Sequence, residues 1–132
     1  METINLENEI VQLRPVQLAD IDAMTVAAND LRIWPHLSVT LLDQTAVENY
    51  VKKAIAEREQ GISYMFGVID KKTGELVGCT SFLDIVLPHK RLEIGSTWYT
   101  PSVWRTAINT NCKFLLLQYC FEVLQLHRVQ IK

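Results

Sequence analysis

A candidate anion-binding site lies where a β-rich run, a loop and an apolar helical segment follow one another between Trp98 and Lys113. The first amides of a helix have no partners within the helix, and the helix dipole adds partial positive charge at that end. Arg105 adds a formal charge just before the helix that is predicted to begin at Asn109. This arrangement suits the phosphate groups of a nucleotide-like ligand.

Other phosphate and metal motifs are missing from the sequence. Neither the glycine-lysine pattern of a P-loop nor the three-glycine pattern of a dinucleotide-binding fold occurs. The histidines, His36, His89 and His127, lie far apart with no cysteine or carboxylate at ligand spacing, so we expect no metal site. Cys112 has no histidine near it in sequence, which argues against a thiol nucleophile.

Hydrophobic periodicity predicts the elements that position this site, in the order β-α-α-β-β-β-α-β. Strands are predicted at 10–13, 64–69, 76–83, 92–99 and 128–132, and helices at 18–31, 45–61 and 109–124. A capping box at Thr45 and Glu48 predicts the start of the second helix. The third helix is apolar on most sides and is expected to be largely buried. The segment 70–75 predicts a tight turn in which Gly74 takes a positive φ.

The irregular stretch between Arg32 and Leu42 contains Trp34-Pro35-His36, and the proline favours an extended conformation at Trp34. Loops of this kind often face substrate in enzymes. We therefore expect this loop to lie beside the functional site.

Several motifs together resemble one family. The run Arg91-Leu92-Glu93-Ile94-Gly95-Ser96-Thr97-Trp98-Tyr99, followed by Trp104-Arg105-Thr106-Ala107-Ile108-Asn109-Thr110, resembles the fourth strand and pyrophosphate loop of GNAT acetyltransferases, in their RimJ/RimL-like branch. The Leu-Arg-Pro opening at 13–15 and the hairpin at 70–78 resemble the same branch. The resemblance implies an α/β (α+β) GNAT acyl-CoA N-acyltransferase fold, with a mixed, mostly antiparallel twisted sheet and flanking helices. Residues 1–132 would form a single partial domain that lacks the last helix and two strands.

The resemblance also implies roles for individual residues in binding acetyl-CoA as co-substrate. The pantetheine arm would lie along Thr97, Trp98 and Tyr99. The pyrophosphate would be held by the backbone amides of Arg105, Thr106, Ala107, Ile108 and Asn109, with Thr110 completing the cofactor-binding set. As catalytic residues, the Thr97 amide would polarise the thioester carbonyl, and Glu93 matches the glutamate that some members use as general base.

Alternatives remain open for some of these residues. Glu93 could instead pair with Arg91 or His89, and Trp98 and Trp104 could serve packing rather than ligand contact.

The loop departs from the family pattern at three positions. Trp104 stands at its first position, and Ala107 and Asn109 replace its glycines. The Ala107 Cβ is expected to lower the affinity for the diphosphate, and Asn109 could instead cap the helix. The family's general acid lies on the segments that follow the fifth strand, so we assign none here.

The function implied is transfer of the acetyl group from acetyl-CoA to a primary amine, on a protein N-terminus or a small molecule, by direct attack. The alternative is a non-catalytic, truncated GNAT-like protein that binds acyl-CoA or associates with itself. An unpaired sheet edge and a partly uncovered apolar helix face favour pairing with a second copy, so we expect a homo-oligomer.

Composition restricts the remaining classes of function. The chain has 132 residues, 48% of them hydrophobic and 21% charged, as in a folded globular domain. A net charge of −2 with scattered lysines and arginines disfavours nucleic acid as a partner. No apolar run approaches the roughly 20 residues that span a bilayer, and Met1 to Glu9 carry no secretory signal. Three cysteines, Cys79, Cys112 and Cys120, lie in apolar stretches as expected of reduced thiols, so we expect a cytoplasmic protein without a membrane partner.

Overall fold

The centre of the molecule is a six-stranded sheet whose strands lie side by side in chain order. The computed structural model describes residues 3–132; Met1 and Glu2, which begin the segment predicted to carry no secretory signal, lie outside the described residues. The strands are β1 (Leu6–Glu7), β2 (Val11–Pro15), β3 (Tyr64–Asp70), β4 (Glu75–Val86), β5 (Arg91–Tyr99) and β6 (Arg128–Ile131). Neighbours pair antiparallel except β5 and β6, which run parallel. The mixed, mostly antiparallel sheet is therefore confirmed, whereas β1, with two residues, is too short to show a periodicity.

Three helices flank the sheet: α1 (Ile21–Ala28), α2 (Gln44–Glu59) and α3 (Ile108–Gln118). A π-helical turn over Tyr119–Val123 continues α3. The predicted order of elements is confirmed, but the capping box at Thr45 is wrong. Asp43 is the N-cap of α2, and its carboxylate accepts a hydrogen bond of 2.8 Å from the Ala46 N–H. An aspartate satisfies the free amide as well as a threonine does, so the helix begins earlier than the pattern indicated.

Hydrophobic side chains cover both faces of the sheet, in two clusters. One cluster joins Phe66, Phe82 and Ile94 of the strands to the inner face of α3. The other joins Met65 and Cys79 to α1 and α2. Because successive side chains of a strand point to opposite faces, burial on both sides produces the nearly continuous apolar runs of β3 and β4.

Helix α3 buries only one of its faces. Ile108, Cys112, Leu115 and Leu116 are buried, whereas the Phe114 side chain is 59% exposed. The expectation of burial on most sides is therefore wrong for the outer face of α3, because nothing in residues 3–132 packs over it.

The β3–β4 hairpin has the predicted turn. Gly74 adopts a φ of +76°, and its N–H donates a hydrogen bond of 2.7 Å to the Asp70 carbonyl. Glycine reaches this backbone conformation without the steric penalty that a side chain would bring. The predicted turn geometry is thus confirmed. Within residues 3–132, no helix has both the length and the apolar content needed to cross a bilayer.

Candidate active site

Strand β5 contains a β-bulge close to its carboxyl end. Trp98 pairs with Cys79 and Gly95 pairs with Ser81, so Ser96 and Thr97 together lie opposite the single residue Thr80. Ser96 takes a left-handed φ of +49°. A bulge of this kind leaves the extra residue out of the regular hydrogen-bond ladder and redirects the side chains that follow it.

The bulge reverses the alternation of side chains along β5. Before it, Leu92 and Ile94 pack in the cluster beneath α3. Strict alternation would place Trp98 on that same face, but Trp98 packs in the opposite cluster, with its ring centroid 5.2 Å from that of Trp34. As a result Thr97 and Tyr99 face α3, whereas in a strand without the bulge they would face α1 and α2.

Thr97 and Tyr99 line a groove of about 360 Å³ between the end of β5, the following loop and α3, which we call the basic groove. Its lining is Thr97, Tyr99, Val103, Trp104, Arg105, Asn109, Lys113 and Lys132. Hydrogen bonds tie its walls together. The Tyr99 hydroxyl donates to Asn109 Oδ1 at 3.0 Å, and Lys113 Nζ donates to Thr97 Oγ1 at 3.4 Å.

The loop at the mouth of the basic groove presents free backbone donors. The Trp104 indole anchors the loop by donating to the Tyr99 carbonyl at 2.8 Å, and Arg105 takes a left-handed φ of +61°. Among the residues the structure describes, no acceptor receives the N–H groups of Arg105, Ala107, Asn109 or Thr110. Together with the N-terminus of α3, these amides are suited to bind an anion.

The charges around the basic groove have one sign. Arg105, Lys113 and Lys132 line it, and none of the residues that form its wall is acidic. A diphosphate with a long uncharged arm fits such a lining, because Arg105 and the free amides lie together on the loop, while Thr97 and Tyr99 extend the groove along β5.

Lys113 is a half-buried cation in this groove. Desolvation lowers the pKa of its ammonium group. Over residues 3–132, no carboxylate oxygen lies within 4 Å of its Nζ, as all five ion pairs involve other residues. Lys113 is therefore a cation without an anionic partner, held close to the bulge.

Glu93 lies on the other face of the sheet. Its residue is 7% exposed, and it lines a separate groove of about 720 Å³ that extends from the end of α2 to β6. Its carboxylate lies 3.8 Å from Lys132 Nζ, and neither Arg91 nor His89 forms an ion pair with it. The alternative pairing with Arg91 or His89 is therefore wrong. Thr97 follows Glu93 by four residues along the strand, a span of roughly 13 Å between their Cα atoms.

Thr97 also borders a small cavity on the α2 side of β5. This cavity, of about 50 Å³, is lined by Leu37, Ser38, Val39, Tyr50, Ser96, Thr97 and Trp98. The loop between α1 and α2 thus reaches the bulge from the face opposite to α3. Thr97 is the residue shared by the two cavities, so groups entering from either face would meet at it.

The predicted site residues are thus distributed over several places. Thr97, Tyr99, Arg105 and Asn109 meet in the basic groove. The Trp98 side chain packs in the core, which leaves its backbone alone at the groove edge. The Thr106 N–H donates to the Val103 carbonyl at 3.3 Å, and the Ile108 N–H donates to Thr106 Oγ1 at 3.3 Å. Neither amide is therefore free to bind the pyrophosphate in this structure, in contrast to the prediction, because the loop uses both for its own turns. Asn109 does not cap α3, since the N-cap is Ala107.

Lys113 and Lys132 are groove residues that the sequence patterns did not single out. The signal for Lys113 is its spacing, because it follows Asn109 by four residues and so shares a face of α3 with it. Lys132 has no such local signal, since the parallel pairing of β5 and β6 brings it to the groove.

The Cys112 thiol and possible metal-ligand clusters are the remaining candidates for chemistry near this site. Burial raises the pKa of the Cys112 thiol to about 11, which keeps it protonated and weakly nucleophilic at neutral pH. In the part of the chain that the structure describes, no three histidine, cysteine or acidic residues cluster in a way that could hold a metal ion.

Comparisons with known proteins identify the family and the fold. Residues 11–132 match the family model for the acetyltransferase (GNAT) domain. A GCN5-related N-acetyltransferase from Brucella melitensis has a TM-score of 0.84 at 24% identity, covering 98% of this chain and 59% of its own. RimJ of Mycobacterium smegmatis, in complex with CoA-disulfide, has a TM-score of 0.79 at 22% identity, with coverages of 98% and 66%.

The microcin self-immunity acetyltransferase MccE, in complex with acetyl-CoA and AMP, has a TM-score of 0.78 at 17% identity, with coverages of 94% and 69%. At these identities the likeness is one of fold. The chain spans 59% of the length of the Brucella protein. A search of curated protein sequences returned no match.

Proposed function

Because the chain belongs to the GNAT acetyltransferase family, we propose that it binds acetyl-CoA in the basic groove and transfers the acetyl group to a primary amine by direct attack. The observation that carries this proposal is the joining of a bulged strand, a loop with free amides and three cations around one groove. Acyl transfer needs an anion site for the nucleotide and a donor directed at the thioester carbonyl, and this groove offers both.

Different parts of the basic groove hold different parts of the co-substrate. The free amides of Arg105, Ala107, Asn109 and Thr110, together with the Arg105 guanidinium, hold the diphosphate. The Thr97–Tyr99 edge of β5 lies along the pantetheine arm. The Thr97 N–H, at the bulge, donates to the thioester oxygen and stabilises the negative charge that develops there during attack.

The acceptor amine enters from the opposite face, past the loop that contains Leu37 and Val39. It reaches the thioester at Thr97, and Glu93 accepts the proton that the amine releases. Because Glu93 lies roughly 13 Å along the strand from Thr97 and one water molecule bridges only about 5.5 Å, a chain of water molecules relays this proton. No cysteine takes part, so the acetyl group passes to the amine in a single step.

The class of acceptor is a protein N-terminus or a small-molecule amine. The motifs at 13–15, 70–78 and 91–110 that resemble the RimJ/RimL-like branch support placing the chain there. Three buried, unpaired cysteines support a cytoplasmic location, where thiols stay reduced.

Titration with acetyl-CoA tests the proposed binding site. Calorimetry of the protein is expected to give saturable binding, and Arg105→Ala is expected to weaken it about tenfold, because an exposed arginine contributes a partly screened contact to phosphate. Arg91→Ala, which removes an exposed arginine on the other face of the sheet, serves as control and is expected to leave the affinity unchanged. An equal loss in both variants, or no binding at millimolar acetyl-CoA, would contradict the proposed site.

A second candidate function is non-catalytic, in which the chain binds acyl-CoA or associates with itself. The observation that favours it is the apolar outer face of α3 and its π-helical turn, where Phe114, Phe121 and Val123 are 59%, 48% and 63% exposed. Such a patch is typical of an interface.

Light scattering checks the self-association. A dimer is expected for the unmodified chain, and Phe114→Asp is expected to shift it to the monomer, because a carboxylate in an apolar interface remains unpaired. Val26→Asp, at a 79% exposed position of α1, is the matched control and should leave the mass unchanged. A monodisperse monomer for the unmodified chain would rule out self-association.

A further inference from the structure

We propose that Lys113 is itself an acetyl acceptor, modified by the acetyl-CoA that occupies the basic groove. This inference rests on the proposed function, because it requires acetyl-CoA to bind with its thioester at Thr97. In the proposed function the acetyl group passes from acetyl-CoA to a separate amine substrate. In this further reaction it passes to a lysine of the chain's own groove.

The position of Lys113 carries the inference. Its Nζ lies 3.4 Å from Thr97 Oγ1, on the residue whose N–H is proposed to hold the thioester oxygen. Lys113 and the thioester would both lie on the α3 side of β5, because the bulge turns Thr97 toward that face. A nucleophile held this close to a bound carbonyl reacts at a high effective concentration.

The surroundings of Lys113 favour the neutral amine, which is the nucleophilic form. Desolvation lowers the pKa of the ammonium group, against a smaller opposing effect of the neighbouring Cys112 thiol. No carboxylate within residues 3–132 forms an ion pair that would hold the proton, and the charged groups that share the groove, Arg105 and Lys132, are both cations. Desolvated lysines next to other cations are a recurrent type of amine nucleophile in enzymes.

The reaction is a complete acyl transfer. The lone pair of Lys113 Nζ attacks the thioester carbonyl carbon and a C–N bond forms. The C–S bond then breaks and its electron pair leaves with sulfur. The nitrogen gives up one proton, and the CoA thiolate takes up one proton. The products are Nε-acetyl-lysine and the free thiol of CoA.

The modification would also affect the groove. Acetylation removes the positive charge of Lys113 and adds a neutral group beside Thr97. We therefore expect the acetylated chain to bind a second acetyl-CoA more weakly than the unmodified chain does.

The test is incubation of the chain with acetyl-CoA, followed by mass spectrometry of the digested protein to locate and time each acetylated lysine. Lys113 is expected to be modified about tenfold or more faster than Lys52, an exposed lysine of α2. Excess CoA should slow the reaction, and S-acetyl-N-acetylcysteamine, a thioester without a nucleotide, should lose the preference. Lys113→Arg should abolish the fast, saturable phase, whereas Lys52→Arg should keep it.

Calorimetry of acetyl-CoA binding on the same samples distinguishes failure of the proposed function from failure of the Lys113 inference. If acetyl-CoA binds but Lys113 reacts no faster than Lys52, the inference is overturned and the proposed function stands. If Lys113 reacts equally with the small thioester and excess CoA gives no protection, the lysine is merely reactive and the inference is again overturned. If acetyl-CoA does not bind, the proposed function fails and this inference fails with it.

Discussion

Gly78→Ala is expected to destabilise the fold by about 3 kcal/mol and to abolish acetyl-CoA binding. Gly78 lies in β4 directly opposite Tyr99, just beyond the bulge. A Cβ at this position would collide with the Trp98 carbonyl oxygen and come within 2.8 Å of Tyr99 Cδ1. Because the obstacle is backbone, β5 itself must move, and Tyr99 would carry one wall of the basic groove with it.

Urea unfolding followed by circular dichroism measures the free energy of unfolding, and calorimetry measures the affinity for acetyl-CoA. A loss of about 3 kcal/mol corresponds to a fall in Tm on the order of 10 °C for a domain of this size. Gly67→Ala, in β3, is the matched control. Its Cβ would meet the Leu76 Cδ1 atom at 3.2 Å, at the end of a side chain that can turn away, so a cost below about 1 kcal/mol is expected. Equal stability in the two variants would show that β5 is free to shift.

Glu93→Gln is expected to reduce kcat by about 100-fold or more, with little change in the affinity for acetyl-CoA. The substitution keeps the size and hydrogen-bonding capacity of the side chain but removes its ability to accept a proton. Glu93 does not line the basic groove, but its partner Lys132 does, with 3.8 Å between Lys132 Nζ and the Glu93 carboxylate. Because this pair is loose and the lysine is exposed, losing it should change the affinity for acetyl-CoA by no more than about threefold. The rate is followed as release of the CoA thiol, with a short peptide bearing a free N-terminal amine as acceptor.

Asp84→Asn is the control for this prediction. Asp84 lines the same 720 Å³ groove but is exposed, and asparagine tolerates its left-handed φ of +46°. The control variant is expected to retain kcat within about threefold, because a screened surface charge contributes little. A similar loss in both variants would indicate that the groove's overall charge matters rather than a base at Glu93. An unchanged kcat in Glu93→Gln would show that Glu93 is not the general base.

Local patterns in the sequence predicted the elements that are built from nearby residues. The turn at Gly74, the order of helices and strands, and the junction of β5, loop and α3 follow from hydrophobic periodicity and turn chemistry, which act over a few residues. Arg105 and Asn109 were placed correctly at the N-terminal end of α3 for the same reason. The N-cap of α2 was misplaced by two residues because Asp43 and Thr45 are both good caps.

The faces of the site were decided by tertiary structure. A regular strand would put Trp98 on the face of Ile94 and Thr97 on the face of Glu93. A bulge reverses this order, and no sequence pattern between Arg91 and Tyr99 predicts it. The bulge depends on pairing with β4, in which Thr80 faces two residues. Side-chain direction in a sheet is therefore fixed by register between strands, a long-range property that periodicity along one strand does not contain.

Long-range packing also explains the positions of Lys113 and Lys132. The sequence by itself determined that a loop with Arg105 and free amides precedes an apolar helix, because these features are local. Only the packing of α3 against β5 brought Lys113 to Thr97, and only the parallel pairing of β6 brought Lys132 to Glu93. Contacts between residues distant in sequence arise from how elements dock, so the fold, and not the motif, decides which charges share a groove.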